Sequence, residues 1–254
     1  MKITSVNRGT LIVISIMTFL AAAGIIFARS YYGDINRSVD PRVKPAKVLY
    51  GRYNLYASEN QHNKVFALLD SIKDIYAAVP HYRDSYEKGV IENNRASVYL
   101  MMALSDSLNK ELREIYFALA EKHLLAGIEL YDRWLDFFGS LAMEKILLIV
   151  EDEFRNDEIL SGNEYLDAII KNRVKEIQTA QFETRRRLSV SYTNLGIIRR
   201  HENNLEEAYS YYTQALDMWA ENHAAKNNIN ILFGRPVEKQ SFMKRLFPPD
   251  RNKE

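Results

Sequence analysis

The chain has 254 residues, of which 47% are hydrophobic and 26% charged, so it can build a core in one or two domains. Its formal net charge of +1 gives no global field toward nucleic acid, and the absence of cysteine excludes disulfides and thiolate metal sites. The aromatic complement, 11 Phe, 16 Tyr and 2 Trp, is large enough to fill a substantial core.

Residues 11–28, LIVISIMTFLAAAGIIFA, carry no charge. As a helix they reach about 27 Å, close to the thickness of a bilayer core. Lys2 and Arg8 precede the run, and Arg29, Tyr31 and Tyr32 follow it, a pattern suited to a membrane–water interface. A cleavable signal peptide has a shorter apolar core ending at small residues. Here Ala21, Ala22 and Ala23 lie inside the run and GIIF continues past them, which favours an uncleaved anchor over a signal peptide cut after Ala28 or a buried core helix. Positive charge is nearly balanced on the two sides, so it does not orient the span. Short N-terminal anchors usually serve export. The expectation is therefore a single pass through the inner membrane, with an extracytoplasmic body; a cytoplasmic body stays open.

Residues 29–46 hold Gly33, Pro41 and Pro45 among mixed charges and read as a linker. From 47 to 235 the only proline is Pro80, and no Val/Ile/Thr alternation persists, so the body at 47–233 is expected to be all-α. Periodicity and turn residues predict helices at about 46–58, 62–78, 82–104, 109–137, 141–156, 163–200, 204–219 and 222–233. The sixth is long enough that a break near QTAQFE is expected. LAMEKILLIV, residues 141–150, is too short to span a membrane and reads as a buried helix, with an exposed dimer face as the alternative. Residues 234–254 form a basic tail. Within it, SFMKRLF sets Phe242, Met243, Leu246 and Phe247 on one side of a short helix, suited to capping the body or to docking on a partner or membrane.

The stretch YTNLGIIRRHENNLEEAYSYYTQAL, residues 192–216, carries the clearest organisation. Gly196 and Ala208 are small where two helices can cross closely, and Tyr192 and Tyr212 are large enough to fill the space on either side. HENN supplies the turn. This pattern of Tyr192, Leu195 and Gly196 followed by Ala208, Tyr212 and Ala215 resembles the tetratricopeptide repeat. Two positions depart from it: Arg199 stands where a Tyr is expected and Ala220 where a Pro is common. One such unit cannot bury its own apolar face, so neighbours are required. Weaker copies place Ala96 at the glycine position and Tyr99 at the tyrosine position. Ala120, Leu124 and Gly127 lie on a matching second helix, and Gly51 sits between aromatics in a third copy. The 45 residues from Gly51 to Ala96 and the 100 from Ala96 to Gly196 depart from a 34-residue period. They imply an irregular helical solenoid, with a degenerate pair at 141–180 and a capping helix after the clearest repeat.

The resemblance implies a concave surface, lined by first helices, that takes a peptide or helix of another protein. By motif position it nominates Thr193, Ile197, Arg200 and His201, together with Asn93, Ser97 and Leu100. The family's clamp for a C-terminal carboxylate is incomplete: Asn194 fits one position, but no Lys/Arg pair follows. In general layout the chain also resembles the anchored repeat proteins that some bacteria place as a collar around periplasmic flagellar motors. These implications converge on a tethered, non-enzymatic scaffold, and homo- or hetero-oligomers are compatible with it. Two alternatives are an accessory protein enclosing a small hydrophobic ligand and, if 1–28 is removed, a soluble exported chaperone.

The other charged runs read as solvated surface. RRR at 185–187, with Arg199 and Arg200 about four turns along, reads as a helix face paired with Glu183, Glu202 and Glu206, a basic patch for an acidic partner segment being the alternative, and EDE at 151–153 is a short acidic run. Neither suggests nucleic-acid binding. The five His are scattered, HENNL lacks the second His of a metalloprotease helix, and SLNK and SFMK stand without companion motifs. No catalytic, cofactor-binding or metal-ligating residues are expected, and no cofactor. NRS at 36–38 is a glycosylation triplet only in a glycosylating route.

Overall fold

The structure, a computed structural model, describes residues 37–105 and 108–239. They form an all-α body of eight α-helices: α1 Lys44–Ser58, α2 His62–Ala78, α3 Tyr86–Ala103, α4 Lys110–Phe138, α5 Met143–Arg155, α6 Leu166–His201, α7 Leu205–Met218 and α8 His223–Leu232. A 3₁₀ turn, Pro80–Tyr82, separates α2 from α3, as the proline predicts. The apolar run 11–28 and the SFMKRLF segment lie outside the described residues. Among the described residues no helix is long and apolar enough to cross a membrane.

Asparagines set most of the punctuation. The side chains of Asn109, Asn204 and Asn222 cap α4, α7 and α8 by accepting from the amides of Leu112, Glu207 and Ala225. Asn60 and Asn203 take left-handed φ values of 55° and 63° after α1 and α6. There the Gln61 amide bonds the Tyr56 carbonyl and the Asn204 amide bonds the Arg199 carbonyl. This closing geometry satisfies helix-end carbonyls and turns the chain back on itself. The hairpins α1/α2 and α6/α7 thus share one turn design.

Helices α1/α2, α3/α4 and α6/α7 pack as hairpins, and α8 lies on α7 and α6. The first apolar cluster joins α1, α2 and α3 through Ala46, Leu69, Ile72, Ile91 and Val98. The second joins α3, α4 and the C-terminal half of α6 through Ala96, Leu124, Tyr131, Leu195 and Ile198. The third joins the end of α4 to α5 and the N-terminal half of α6 through Trp134, Ile146, Phe154, Ile170 and Ile177. Helix α6 therefore belongs to two cores. At 36 residues it runs about 54 Å.

Three expectations are corrected. First, α6 has no break near QTAQFE: Ile177, Ala180 and Thr184 are buried along one face, and Gln181 Nε2 donates to the carbonyls of Phe138 and Leu141 at 2.6 and 3.0 Å. The segment is pinned against the α4–α5 turn instead of bending. Second, residues 40–46 belong to the body and not to a linker. Asp40, Val43 and Ala46 are buried, and Arg42 bonds Asp40 and reaches Asp157 at 2.5 Å while lying 4.6 Å from the Phe154 ring. Third, α5 is amphipathic: Ile146, Val150 and Phe154 are buried, whereas Met143 and Leu148 are exposed.

Candidate interaction surface

The α6/α7 hairpin brings together the six packing positions of the 192–216 stretch. Leu195, Gly196, Ala208, Tyr212 and Ala215 are buried, and Tyr192 is half-buried with its ring stacked 6.4 Å from that of Tyr211. A Cβ added at Gly196 would lie 2.6 Å from Tyr212 Cδ1 and 3.0 Å from Cζ. The absent side chain is the socket into which the Tyr212 ring fits. Ser189 Oγ donates to the Ala215 carbonyl at 2.5 Å, one further tie between the two helices.

The nominated groove residues do not all face one surface. Thr193 is only 3% exposed; its hydroxyl donates to the Ser189 carbonyl and accepts from Asn222 Nδ2 at 3.0 Å, so α8 covers it. Leu100 is buried in the second cluster and faces no groove. Arg200 is half-buried and donates to Asn228 Oδ1 of α8 at 2.9 Å. Asn93 accepts from Ser191 of α6 and so lies at the α3–α6 seam, whereas Ser97 bonds back to the Asn93 carbonyl within α3 and stays half-exposed. Ile197 is half-buried and His201 is exposed, with its ring 5.3 Å from that of Phe117. Burial and the charges of Arg200 and Arg113 push the His201 imidazole below its ordinary pKa. In the C-terminal half of α6, Val190 and His201 are exposed and Asn194 and Ile197 half-exposed, a stripe at helical spacings of four, three and four. On α3 the corresponding accessible positions are Asn94, Ser97 and Met101.

Arg199, at the expected tyrosine position, is held by carboxylates: Nη1 donates to Glu202 at 2.7 Å and to Glu121 of α4 at 3.3 Å. Burial alone would lower its pKa, but the bonds to Glu121, Glu202 and Glu207 raise it. An ion-pair cluster fills the space where the motif places a ring. In the RRR run, Arg186 pairs with Glu183 at 2.9 Å and lies over Trp219 at 4.4 Å.

Two features of the architecture carry no motif that sequence reasoning used. One is a second ring-on-glycine contact: a Cβ at Gly89 of α3 would lie 2.5 Å from the Tyr131 ring of α4, one turn beyond the contact of Gly127 with Asn93. The offset Gly127 to Tyr131 matches Ala208 to Tyr212, a signal present in the sequence. The other is a buried ionic network. Arg173 of α6 is 2% exposed; its Nη1 donates to Glu87 of α3 at 2.5 Å and to Glu176 at 3.3 Å, and its Nε donates to His81 Nε2 at 2.9 Å. The guanidinium also lies 4.3 Å from the Tyr82 ring centre. Because His81 Nε2 accepts, the imidazole is neutral with its proton on Nδ1, which faces Glu153. Burial would raise the Glu87 pKa, but the Arg173 charge and hydrogen bonds hold it below the usual carboxylate range.

This network and the Glu92 site set an acid limit on stability. Burial pushes the Glu92 pKa up, but bonds to His123 and Lys73 bring it down to about 2 from 4.5. Burial, with the nearby Arg173 charge, lowers His81 below 6.5 against the opposing bond to Glu153. In both cases the unfolded chain takes up protons at a higher pH than the folded one, so stability is full above the unfolded pKa and falls as pH drops. The urea midpoint is expected to be level above about pH 7, to begin falling below 6.5 through His81, and to steepen below 4.5. Glu92→Gln should flatten the lower limb relative to the parent; parallel limbs in the two proteins would refute the assignment.

No metal-ligand cluster of three or more His, Cys, Asp or Glu occurs among the described residues. A shallow depression of about 440 Å³, lined by Pro41, Lys44, Val48 and Arg52 among others, is open to solvent, as is a cleft of about 250 Å³ beside Arg187. A scan against protein-family models gives no match, and comparison with the curated proteins and with the solved structures gives none.

Proposed function

We propose that the chain is a membrane-tethered, non-enzymatic scaffold that recruits another protein to a stack of tetratricopeptide-like helical hairpins in a bacterial envelope complex. The observation that carries this reading is the Gly196–Tyr212 nest, flanked by the α3/α4 hairpin and by α8, which leave the stripe Val190, Asn194, Ile197 and His201 partly exposed. Tight pairing of small and aromatic residues fixes a rigid frame, and a rigid frame with a partly exposed helix stripe suits helix or peptide docking. The uncharged run 11–28 supports the tether, and tethering raises the effective concentration of a partner so that modest contacts suffice. The extracytoplasmic placement and the likeness to flagellar collar proteins belong to the same proposal. The two open depressions described above lend no support to enclosure of a hydrophobic ligand.

The test is copurification from membranes. The full chain is expected to bring down a protein in stoichiometric amount, and Ile197→Asp combined with His201→Asp should lose it while keeping the parent's helical content. A parent that brings down nothing stoichiometric, or a double variant that retains the same protein, contradicts the proposal.

A further inference from the structure

Three polar side-chain atoms near the crossing of α3, α4 and α6 are buried without a hydrogen-bond partner: the Tyr131 hydroxyl, Thr184 Oγ1 and Arg187 Nη1. All three can donate. Leaving such groups unpaired is costly, most of all for a charge. Thr184, Arg187, Leu188 and Ser191 share one face of α6. Leu188 packs in the cluster that holds Tyr131, and Ser191 bonds Asn93 of α3, so this face turns toward the α3–α4 hairpin. Arg187 lies 5.9 Å from the Tyr86 ring. Burial raises the pKa of the Tyr131 hydroxyl, and the Arg187 charge acts against that rise.

Arg187 forms no ion pair among the described residues. It lines the cleft of about 250 Å³, together with Tyr86, Lys175 and Thr179. Two carboxylates also line this cleft, but both are engaged elsewhere: Glu176 with Lys47 and Arg173, and Glu183 with Arg186. A donor-rich interior with one uncompensated positive charge does not suit a cation. A bridging water would satisfy hydroxyls yet leave the guanidinium charge unbalanced. We infer that this junction binds a small oxyanion, a carboxylate or a phosphate, with Arg187 as the charged donor and the hydroxyls of Tyr131 and Thr184 completing the set. The site is independent of the tether and of the α6 stripe.

The test is thermal unfolding of the full chain at pH 7 in potassium phosphate or potassium acetate, each against potassium chloride at matched ionic strength. The Tm is expected to rise and to saturate with one or both oxyanions, and the responsive one identifies the ligand chemistry. A general salting effect of phosphate does not saturate and is shared by all variants. Arg187→Met should weaken the apparent affinity about tenfold or more, and in chloride it should be at least as stable as the parent. Tyr131→Phe keeps the ring and Thr184→Val keeps the shape, and each should weaken the response. A parent whose Tm rises no more than in chloride overturns the inference, as does an Arg187→Met protein with the parent's affinity. If Arg187→Met does not fold, unchanged affinity in both Tyr131→Phe and Thr184→Val overturns it equally.

Discussion

Glu87→Ala is expected to destabilise the fold by about 3–5 kcal/mol, because it strands the Arg173 charge in the interior. Arg173 is 2% exposed and Glu87 7%, and their 2.5 Å contact joins residues 86 positions apart in sequence. The remaining carboxylate partner, Glu176, is farther at 3.3 Å and is shared with Lys47 and Asn172, so it cannot replace Glu87. Arg173→Met should cost a similar amount by stranding Glu87. The double variant Glu87→Leu with Arg173→Met removes both charges and should recover most of the loss, since apolar replacements of buried pairs are often neutral or stabilising. Urea unfolding with unchanged m-values is the measurement. Single variants within about 1 kcal/mol of the parent would mean that water reaches the pair.

The second large effect concerns glycines, and it turns on sign. Alanine is a better helix former than glycine by about 1 kcal/mol, so Gly→Ala in an open helix position stabilises. At Gly51 of α1 nothing lies within 4 Å of an added Cβ, and Gly51→Ala should gain up to about 1 kcal/mol. At Gly196 and Gly89 the same methyl meets the Tyr212 and Tyr131 rings, which are fully buried and have no space to swing aside. Overpacking of this kind costs about 1–3 kcal/mol, enough to outweigh the propensity gain. Gly196→Ala and Gly89→Ala should therefore lower Tm while Gly51→Ala raises it. Pairing Gly196→Ala with Tyr212→Leu should return part of the loss by clearing the overlap. A stabilising Gly196→Ala would show that α6 and α7 do not cross where described.

Much of the helix layout is legible in the sequence because its determinants are local. Asn60 and Asn203 stop α1 and α6, Pro80 separates α2 from α3, and apolar periodicity marks the rest. The Gly196–Tyr212 socket is legible too, since two helices joined by a short turn must pack, and small and large residues at matched offsets say where. The Gly89–Tyr131 socket is harder to read. Ala96, Ala120, Leu124 and Gly127 lie in the same α3/α4 interface, so an alignment seven residues away selects the right helices and the wrong glycine partner. The ionic network is not legible at all: Glu87 and Arg173 look like surface charges until α6 crosses the start of α3. The groove residues fail in part for a similar reason. Motif position cannot foresee that α8 lies over Thr193 and Arg200 through Asn222 and Asn228.

The central claim, that the partly exposed α6 stripe is the face a partner uses at the membrane, is tested most directly by photocrosslinking in cells from single positions of the full chain. Probes at 197 and 201 are compared with a probe at the exposed Leu148 of α5. The account predicts one discrete protein adduct from 197 and 201, in the membrane fraction, with none from 148. Adducts of equal yield from all three positions, or from 148 alone, would contradict it.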